Sequence, residues 1–306
     1  MAMILLDDVS SLRRRLISWR HSSRSIALVP TMGNLHAGHL ALVQEARRVA
    51  DRTLVSIFVN PLQFSPNEDF DAYPRTLERD RELLEAEDTD LLFAPPVQAV
   101  YPHGSQGQTR VDVPGLSDIL CGASRPGHFA GVATVVCKLF NIAQPDVAIF
   151  GEKDYQQLLV IRRMVKDLCL PIKVRGLATV RELDGLAMSS RNGYLSPAER
   201  ARAPALYRAL CRAGERLRKG LAAGEVERTG AEELVIEGLR PDYFSIRRAS
   251  DLQPATTEDQ DLVVLTAAYL GAARLIDNLR VSLTDTATSV VAAVVGFRKR
   301  GSLDPR

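Results

Sequence analysis

Along the first part of the chain, short apolar runs alternate with segments whose apolar residues recur at helical spacing. Residues 26–29, IALV, form one such run; PTMGNLHAGH follows, and then LALVQEARRVA, in which Leu40, Val43, Ala46 and Ala50 share one helical face. That order predicts strand, glycine-containing turn and helix. TLVSIFVN at 53–60 predicts a second strand, stopped by Pro61, and RTLERDRELLEAE at 75–87 a helix with a charged outer face before the short strand DLLFA. Further on, VATVVCKLFNIA at 132–143 predicts a helix and VAIFG a strand closing in a tight turn. YQQLLVIRRMVKDL then reads as another helix and KVRGLATV at 173–180 as a last strand. Strands alternating with helices in this way are crossover units over a parallel sheet.

The character changes at residues 182–192. Ser196, Pro197 and Glu199 form a helix start: the hydroxyl caps, proline fits the first helical position, and glutamate returns the bond. A long helix to about Arg218 is expected, then a shorter one over 231–238, then strands YFSIRRA and QDLVVLTAAYL, ending in ARLIDNL. The expected fold class is therefore α/β. A Rossmann-like parallel sheet with helices on both faces spans 1–183, and a smaller C-terminal α+β domain spans 184–280. A C-terminal extension of uncertain order follows over 281–306, where SVVAAVV can dock on the body or on a partner. Before the boundary, HGSQGQTRVDVPGLSDILCGASRPGHFAGV is too rich in Gly, Pro and Ser for one regular element, and long unpatterned stretches of a compact domain tend to line a site.

Composition sharpens this picture by exclusion. With 306 residues, 46% hydrophobic and 25% charged, the chain can bury a substantial core, in two domains rather than one. The 39 Lys and Arg residues nearly balance the 37 Asp and Glu residues with no basic stripe, so nucleic acid is not an expected partner. Cys121, Cys137, Cys169 and Cys211 lie far apart, which predicts apolar thiols in or near a core rather than a zinc knuckle or disulfide framework; neither zinc nor haem is expected. The apolar start of MAMILLDDVS is too short for a signal peptide, and no run reaches bilayer length. A cytoplasmic chain without a membrane partner is expected.

Three clusters offer chemistry. In PTMGNLHAGH, Gly33 and Gly38 permit close backbone approach, at the strand-to-helix junction where parallel sheets accept ligands and helix N-termini attract anions. His36 and His39 can face one phosphate from the start of the helix. As zinc ligands they lack a third partner, and either can be merely a polar helix-start residue. The segment is neither a P-loop nor a dinucleotide fingerprint. In FGEKDYQQ, Lys153 can meet phosphate charge, Asp154 can orient it or hold hydrated magnesium, and Gln157 shares its face one turn on. The bland alternative is a solvated helix start. In MSSRNGYLS, Ser189 and Ser190 can bond phosphate oxygens and Arg191 supplies permanently charged donors, on a connection able to close over a triphosphate. Alone, such a tripeptide is an ordinary surface loop. Asn60 and Gln63 of VNPLQF, and Arg125 and His128 of SRPGHFAGV, suit recognition of a small polar acid, or else local turn and loop bonding.

Together, PTMGNLHAGH, VNPLQF, RPGHF, FGEKDYQQ and MSSRNGYLS resemble, in the same order, the pantothenate synthetase (pantoate–β-alanine ligase) family, from the N-terminus to about Leu279. GNLHAGH also resembles the HxGH element of nucleotidyltransferases and class I aminoacyl-tRNA synthetases. The resemblance implies ATP-dependent joining of pantoate and β-alanine into pantothenate, with AMP and pyrophosphate, through a pantoyl adenylate. It implies ATP contacts from Met32, Gly33, Asn34 and Leu35 with His36, Ala37, Gly38 and His39, then from Gly151, Glu152, Lys153 and Asp154, from Val180, and from Met188, Ser189, Ser190 and Arg191. His39 is implied as proton donor with His36 as its companion, and Lys153 and Arg191 as further catalytic groups. Gln63 and Gln157 are implied to bind pantoate, Gln63 also β-alanine. Magnesium with ATP and a homodimer are implied too. One departure stands out: Cys121 occupies the position where the family pattern leads one to expect glutamate, which puts the setting of Arg125 and its loop in question. A related adenylyl transferase with another small acid or a nucleotide as substrate, or a nucleotide-binding protein without catalysis, is the alternative.

Overall fold

A computed structural model of the chain describes residues 3–64, 70–71, 73–105 and 107–284; the SVVAAVV run and the rest of the tail from 285 lie outside the described residues. Six strands, Ile4–Leu6 (β1), Ile26–Thr31 (β2), Arg52–Ile57 (β3), Leu91–Phe93 (β4), Val147–Gly151 (β5) and Lys173–Leu177 (β6), pair in parallel in the order β1-β4-β3-β2-β5-β6. Edge strand β1 was not expected, because three residues before an acidic pair carry too little pattern. The helices of this unit are Val9–His21 (α1), Ala37–Val49 (α2), Leu77–Ala86 (α3), Val97–Val100 (α4), Cys121–Ser124 (α5), His128–Ala143 (α6) and Tyr155–Asp167 (α7).

Period-two alternation places successive strand residues on opposite faces. In β2, Ile26 and Leu28 join a core with Leu12 and Leu16 of α1, Phe140 of α6 and Leu158 of α7, while Ala27 and Val29 join another with Val43 of α2 and Leu84 of α3. This is the expected Rossmann-like sheet covered by helices on both faces. From β2 the chain runs through β3 and β4 towards one edge, and from β5 to β6 towards the other. The carboxyl ends of neighbouring β2 and β5 therefore form the topological switch point where such sheets take ligands.

The smaller unit contains Pro197–Arg202 (α8), Ala205–Arg218 (α9), Ala223–Ile236 (α10), and the antiparallel sheet Arg240–Arg248 (β7), Asp261–Leu270 (β8) and Ala273–Ser282 (β9), ordered β7-β8-β9. Ser196 caps α8 reciprocally with Glu199, and proline opens the helix, as expected. The single long helix expected to Arg218 is instead two, because Pro204 has no N–H to continue the ladder and opens a new helix. The helix expected over 231–238 starts earlier, at Ala223. Strand β9 runs through Ser282, with Val281 fully buried, two residues beyond the boundary drawn at 280. In β8, Leu262 and Val264 pack towards α9 and α10, while Val263 and Leu265 enter the core of the larger unit. No helix among the described residues is long and apolar enough to cross a membrane.

Candidate active site

A cleft of about 820 Å³ opens at the switch point and is walled on its far side by β9. The turn after β2 brings Met32, His36, Gly38 and His39 to its surface. Gly33, Asn34, Leu35 and Ala37 are not among its lining, and Leu35 is buried in the core beneath. The turn is pinned from below: Asp80 of α3, wholly buried, accepts the backbone N–H groups of Asn34 and Leu35, each at 2.8 Å, and the hydroxyl of Thr76 at 3.1 Å. The helix expected to carry only an outward charged face thus turns one carboxylate inward, on the side of Leu83 and Leu84.

His36 caps α2. Its Nδ1 accepts the N–H of Gly38 at 3.1 Å, and Nδ1 of His39 accepts the N–H of His36 at 3.4 Å. A Cβ on residue 38 would lie 2.9 Å from Cε1 of His36, so glycine lets the ring fold over the helix start. The rings lie against each other at a tilt of 39°, with centroids 4.1 Å apart. Both Nδ1 atoms are acceptors, so each neutral ring carries its hydrogen on Nε2. Electrostatics point the same way. Burial, then the Lys153 charge, pushes His36 down to about 4 against the partial offset of Asp154, and burial, then His36 and Lys153, pushes His39 down to about 3. Before a ligand arrives, the site offers two neutral N–H donors rather than imidazolium.

Lys153 and Asp154 follow β5 in a single 3-10 turn, Glu152–Asp154, and both line the cleft with Gly151; Glu152 does not. The connection after β6 folds back on itself, the N–H of Met188 bonding the carbonyl of Val180 at 3.0 Å, and brings Val180, Met188, Ser189, Ser190 and Arg191 to the cleft. The hydroxyl of Ser190 donates to the carbonyl of Asn34 at 3.3 Å, and Met188 lies against Gly38, so this segment touches the histidine turn directly. Three stretches distant in sequence converge on one cavity. Asp154 is one carboxylate beside open space, and no group of three or more His, Cys, Asp or Glu residues capable of holding a metal occurs among the described residues. That donor set suits magnesium that arrives on phosphates with its own waters better than a protein cage.

Gln63 and Gln157 both line the cleft. Asn60, expected to meet substrate, does not. It is wholly buried, accepts from the Tyr101 hydroxyl at 2.8 Å and from the N–H of Leu62, and donates to Oε1 of Gln63 at 2.9 Å and the carbonyl of Gly131 at 3.1 Å. The strand ends at Ile57, and the chain turns Asn60 into the interior, where its amide fixes the Gln63 oxygen and leaves the Gln63 nitrogen to donate elsewhere. His128 donates from Nδ1 to the Gln63 carbonyl at 2.8 Å and receives Arg125 Nη1 on Nε2 at 3.0 Å, while Arg125 Nη2 reaches the same carbonyl at 3.2 Å. Both residues line the cleft and both hold the Gln63 backbone. Cys121 is buried, its Sγ 3.1 Å from the Tyr243 hydroxyl and 3.4 Å from Nη2 of Arg274, while its N–H bonds Gln156 Oε1 at 3.2 Å. Gln156 also donates to the carbonyls of Leu116 and Ile119, so the loop is tied without a carboxylate at position 121.

Sequence reasoning passed over Arg181, Asp277 and Asn278. Arg181 pairs with Asp277 through bonds of 2.6 and 2.9 Å and stacks on Tyr207, and Asn278 bonds the turn that carries Lys153. Asp277 alone carried a signal, a broken alternation: it stands between Leu275 and Leu279, a charge in an apolar row of β9.

A family model described as pantoate-beta-alanine ligase matches residues 4–280. The pantothenate synthetase of Chromohalobacter salexigens is 57% identical over 281 residues, covering 92% of this chain and 99% of that protein. A crystal structure of pantothenate synthetase from Thermus thermophilus is 50% identical with a TM-score of 0.85, covering 90% of this chain and 99% of that one. The crystal structure of pantoate-beta-alanine ligase from Francisella tularensis, complexed with beta-gamma ATP and beta-alanine, is 35% identical with a TM-score of 0.74, covering 91% and 97%.

Proposed function

This chain belongs to the pantoate–β-alanine ligase family, and on that premise we propose that it condenses pantoate with β-alanine to pantothenate, with ATP going to AMP and pyrophosphate. A pantoate carboxylate oxygen attacks the α-phosphorus and pyrophosphate leaves, giving pantoyl adenylate. The β-alanine amine then attacks the acyl carbon, AMP leaves with the acyl C–O bond pair, and the amine proton passes to the medium. Adenylation gives the carboxyl carbon a leaving group, and the walled cleft keeps water from the intermediate.

The observation that carries this reading is the meeting of the His36 and His39 rings with Lys153 and the Ser189–Arg191 segment at the β2/β5 switch point. Neutral Nε2–H groups of both histidines donate to phosphate oxygens as charge moves onto the departing pyrophosphate, and Lys153 and Arg191 neutralise it. ATP rests on Met32, His36, Gly38 and His39 and on Gly151, Lys153 and Asp154, with Val180 at the adenine end and Met188 beside Ser189 to Arg191 along the nucleotide. Gln63, its oxygen held by Asn60, donates to pantoate and then meets β-alanine; Gln157 binds pantoate from the facing helix. Asp154 would hold magnesium on the triphosphate, where the ion supplies charge neutralisation at the phosphate oxygens. The larger unit up to residue 183 binds ATP and pantoate, the smaller unit from 184 through the end of β9 at Ser282 is its cover, and the working form is a homodimer.

The test is a substrate matrix: AMP, pyrophosphate and pantothenate are measured with ATP, magnesium, pantoate and β-alanine, omitting each in turn. Pyrophosphate release that needs pantoate but not β-alanine is expected. Absence of pantothenate from the complete mixture removes the proposal.

A further inference from the structure

The strand that walls the cleft reaches into the turn that carries Lys153. Asn278 of β9 is buried, and its Nδ2 donates to the carbonyl of Glu152 at 2.9 Å and to that of Lys153 at 2.9 Å. A side-chain amide nitrogen has two hydrogens, so one group satisfies both carbonyls; the amide oxygen in its place would face two lone-pair-bearing oxygens, which fixes the orientation. Among the described residues no side-chain bond caps the Glu152–Asp154 turn or the helix α7 that follows it, and Asn278 anchors this backbone instead. Its neighbour Asp277 binds Arg181, at the root of the segment bearing Ser189 to Arg191. Two consecutive residues of the smaller unit thus attach to two phosphate-facing segments of the cleft.

We propose that Asn278 is a positioning residue for Lys153: it fixes the peptide groups on either side of the Lys153 Cα and so aims the ammonium at the phosphates beside His36 and His39. This rests on the reading of the cleft as an adenylating site. The lysine stem is flexible, so its charge is useful only as far as its backbone root is held, and misplacement by about 1 Å can cost roughly a hundredfold in rate.

The test uses the full chain and two variants. Asn278→Ala removes both bonds, and pantoate-dependent pyrophosphate release is expected to fall about 10- to 100-fold in kcat with the pantoate KM within about threefold of wild type. In a Lys153→Ala background, Asn278→Ala is expected to change little more, because its effect passes through the lysine. Asn278→Asp keeps the side-chain volume and sets a carboxylate against two carbonyls, a setting that favours the neutral acid, whose O–H can donate to one of them. The ratio of its rate to wild type, read at pH values where circular dichroism shows both proteins fully folded, is therefore expected to rise as pH falls, a response that a change in folded fraction then cannot produce. An unchanged kcat in Asn278→Ala, an undiminished effect without Lys153, or a flat Asn278→Asp ratio each overturns the proposal. Should Asn278→Ala fail to fold, the pH ratio of Asn278→Asp decides. Wild type without pantoate-dependent pyrophosphate release refutes the functional reading instead; the same cycle read through ATP affinity by calorimetry then judges Asn278 alone.

Discussion

The two histidines show how local bonding sets chemistry. Both Nδ1 atoms receive backbone N–H groups, so protonation of either ring must break a bond at the start of α2 as well as place charge near Lys153. Against an ordinary value of 6.5, the folded chain holds His36 near 4 and His39 near 3, with burial as the main cause. The unfolded chain therefore binds more protons between these limits. The stability contributed by neutral rings is whole above pH 6.5 and is lost as pH falls through 4 towards 3. Ring resonances followed by NMR in the ligand-free protein should begin to titrate only below about pH 5, as Nε2–H tautomers until then. ATP should raise both values, because its phosphate charge opposes the effect of Lys153. Ordinary titration near 6.5 in the free protein would contradict the acceptor roles of Nδ1. At this scale the identity of His36 and His39 was legible in the sequence, but their protonation was not, since it depends first on burial by distant elements and then on Lys153, which arrives in the turn after β5.

Whole elements meet in ways that single motifs do not announce. Apolar runs closed by proline or glycine marked β2, β3 and β5 and put the candidate turns at the right ends of the strands. The approach of helix α6 to the 61–63 turn was not visible, because it depends on one missing methyl: a Cβ on Gly131 would lie 2.1 Å from the carbonyl oxygen of Leu62. That contact sets Gln63, which Asn60, Arg125 and His128 hold from other sides. Gly131→Ala must push the turn off the helix, since backbone cannot give way as a flexible side chain can. A loss of about 1–3 kcal/mol in stability is expected from overpacking, with the pantoate KM rising more than the ATP KM. Urea midpoints and the two KM values check this; an unshifted pantoate KM would detach Gln63 from that substrate. The burial of Asn60 and of Asp80 escaped sequence reading for a related reason. A polar residue beside a strand end or on a charged helix is read as outward until burial by a distant element is known.

At the scale of the molecule, the polar bridge from β9 to the cleft is only part of what joins the two units. Val263 and Leu265 of β8, with Ala249 and Leu252, sit in the same core as α1, α6 and α7, and the Tyr155 hydroxyl donates to the Ala249 carbonyl at 2.8 Å. Units joined mainly by polar contacts move and unfold separately, whereas a shared apolar core makes each a condition for the other. The continuous hydrophobic stretch of QDLVVLTAAYL carried this information: alternate residues on both faces are apolar, as in a strand covered twice. Val263, fully buried and on the shared face, is the residue on which to test the coupling. Val263→Ala removes two methyl groups and should lower stability by roughly 1.5–3 kcal/mol. Trp19, the chain's single tryptophan, belongs to α1 in the larger unit, so its fluorescence reports that unit, while far-ultraviolet circular dichroism reports both. In urea the two signals should share one midpoint in wild type and should move together in the variant, because the damaged contact belongs to both units. If dichroism instead splits into two steps, with the fluorescence midpoint unmoved by Val263→Ala, the smaller unit would be an independently folding cover. The Asp277–Asn278 bridge would then be its principal hold on the cleft.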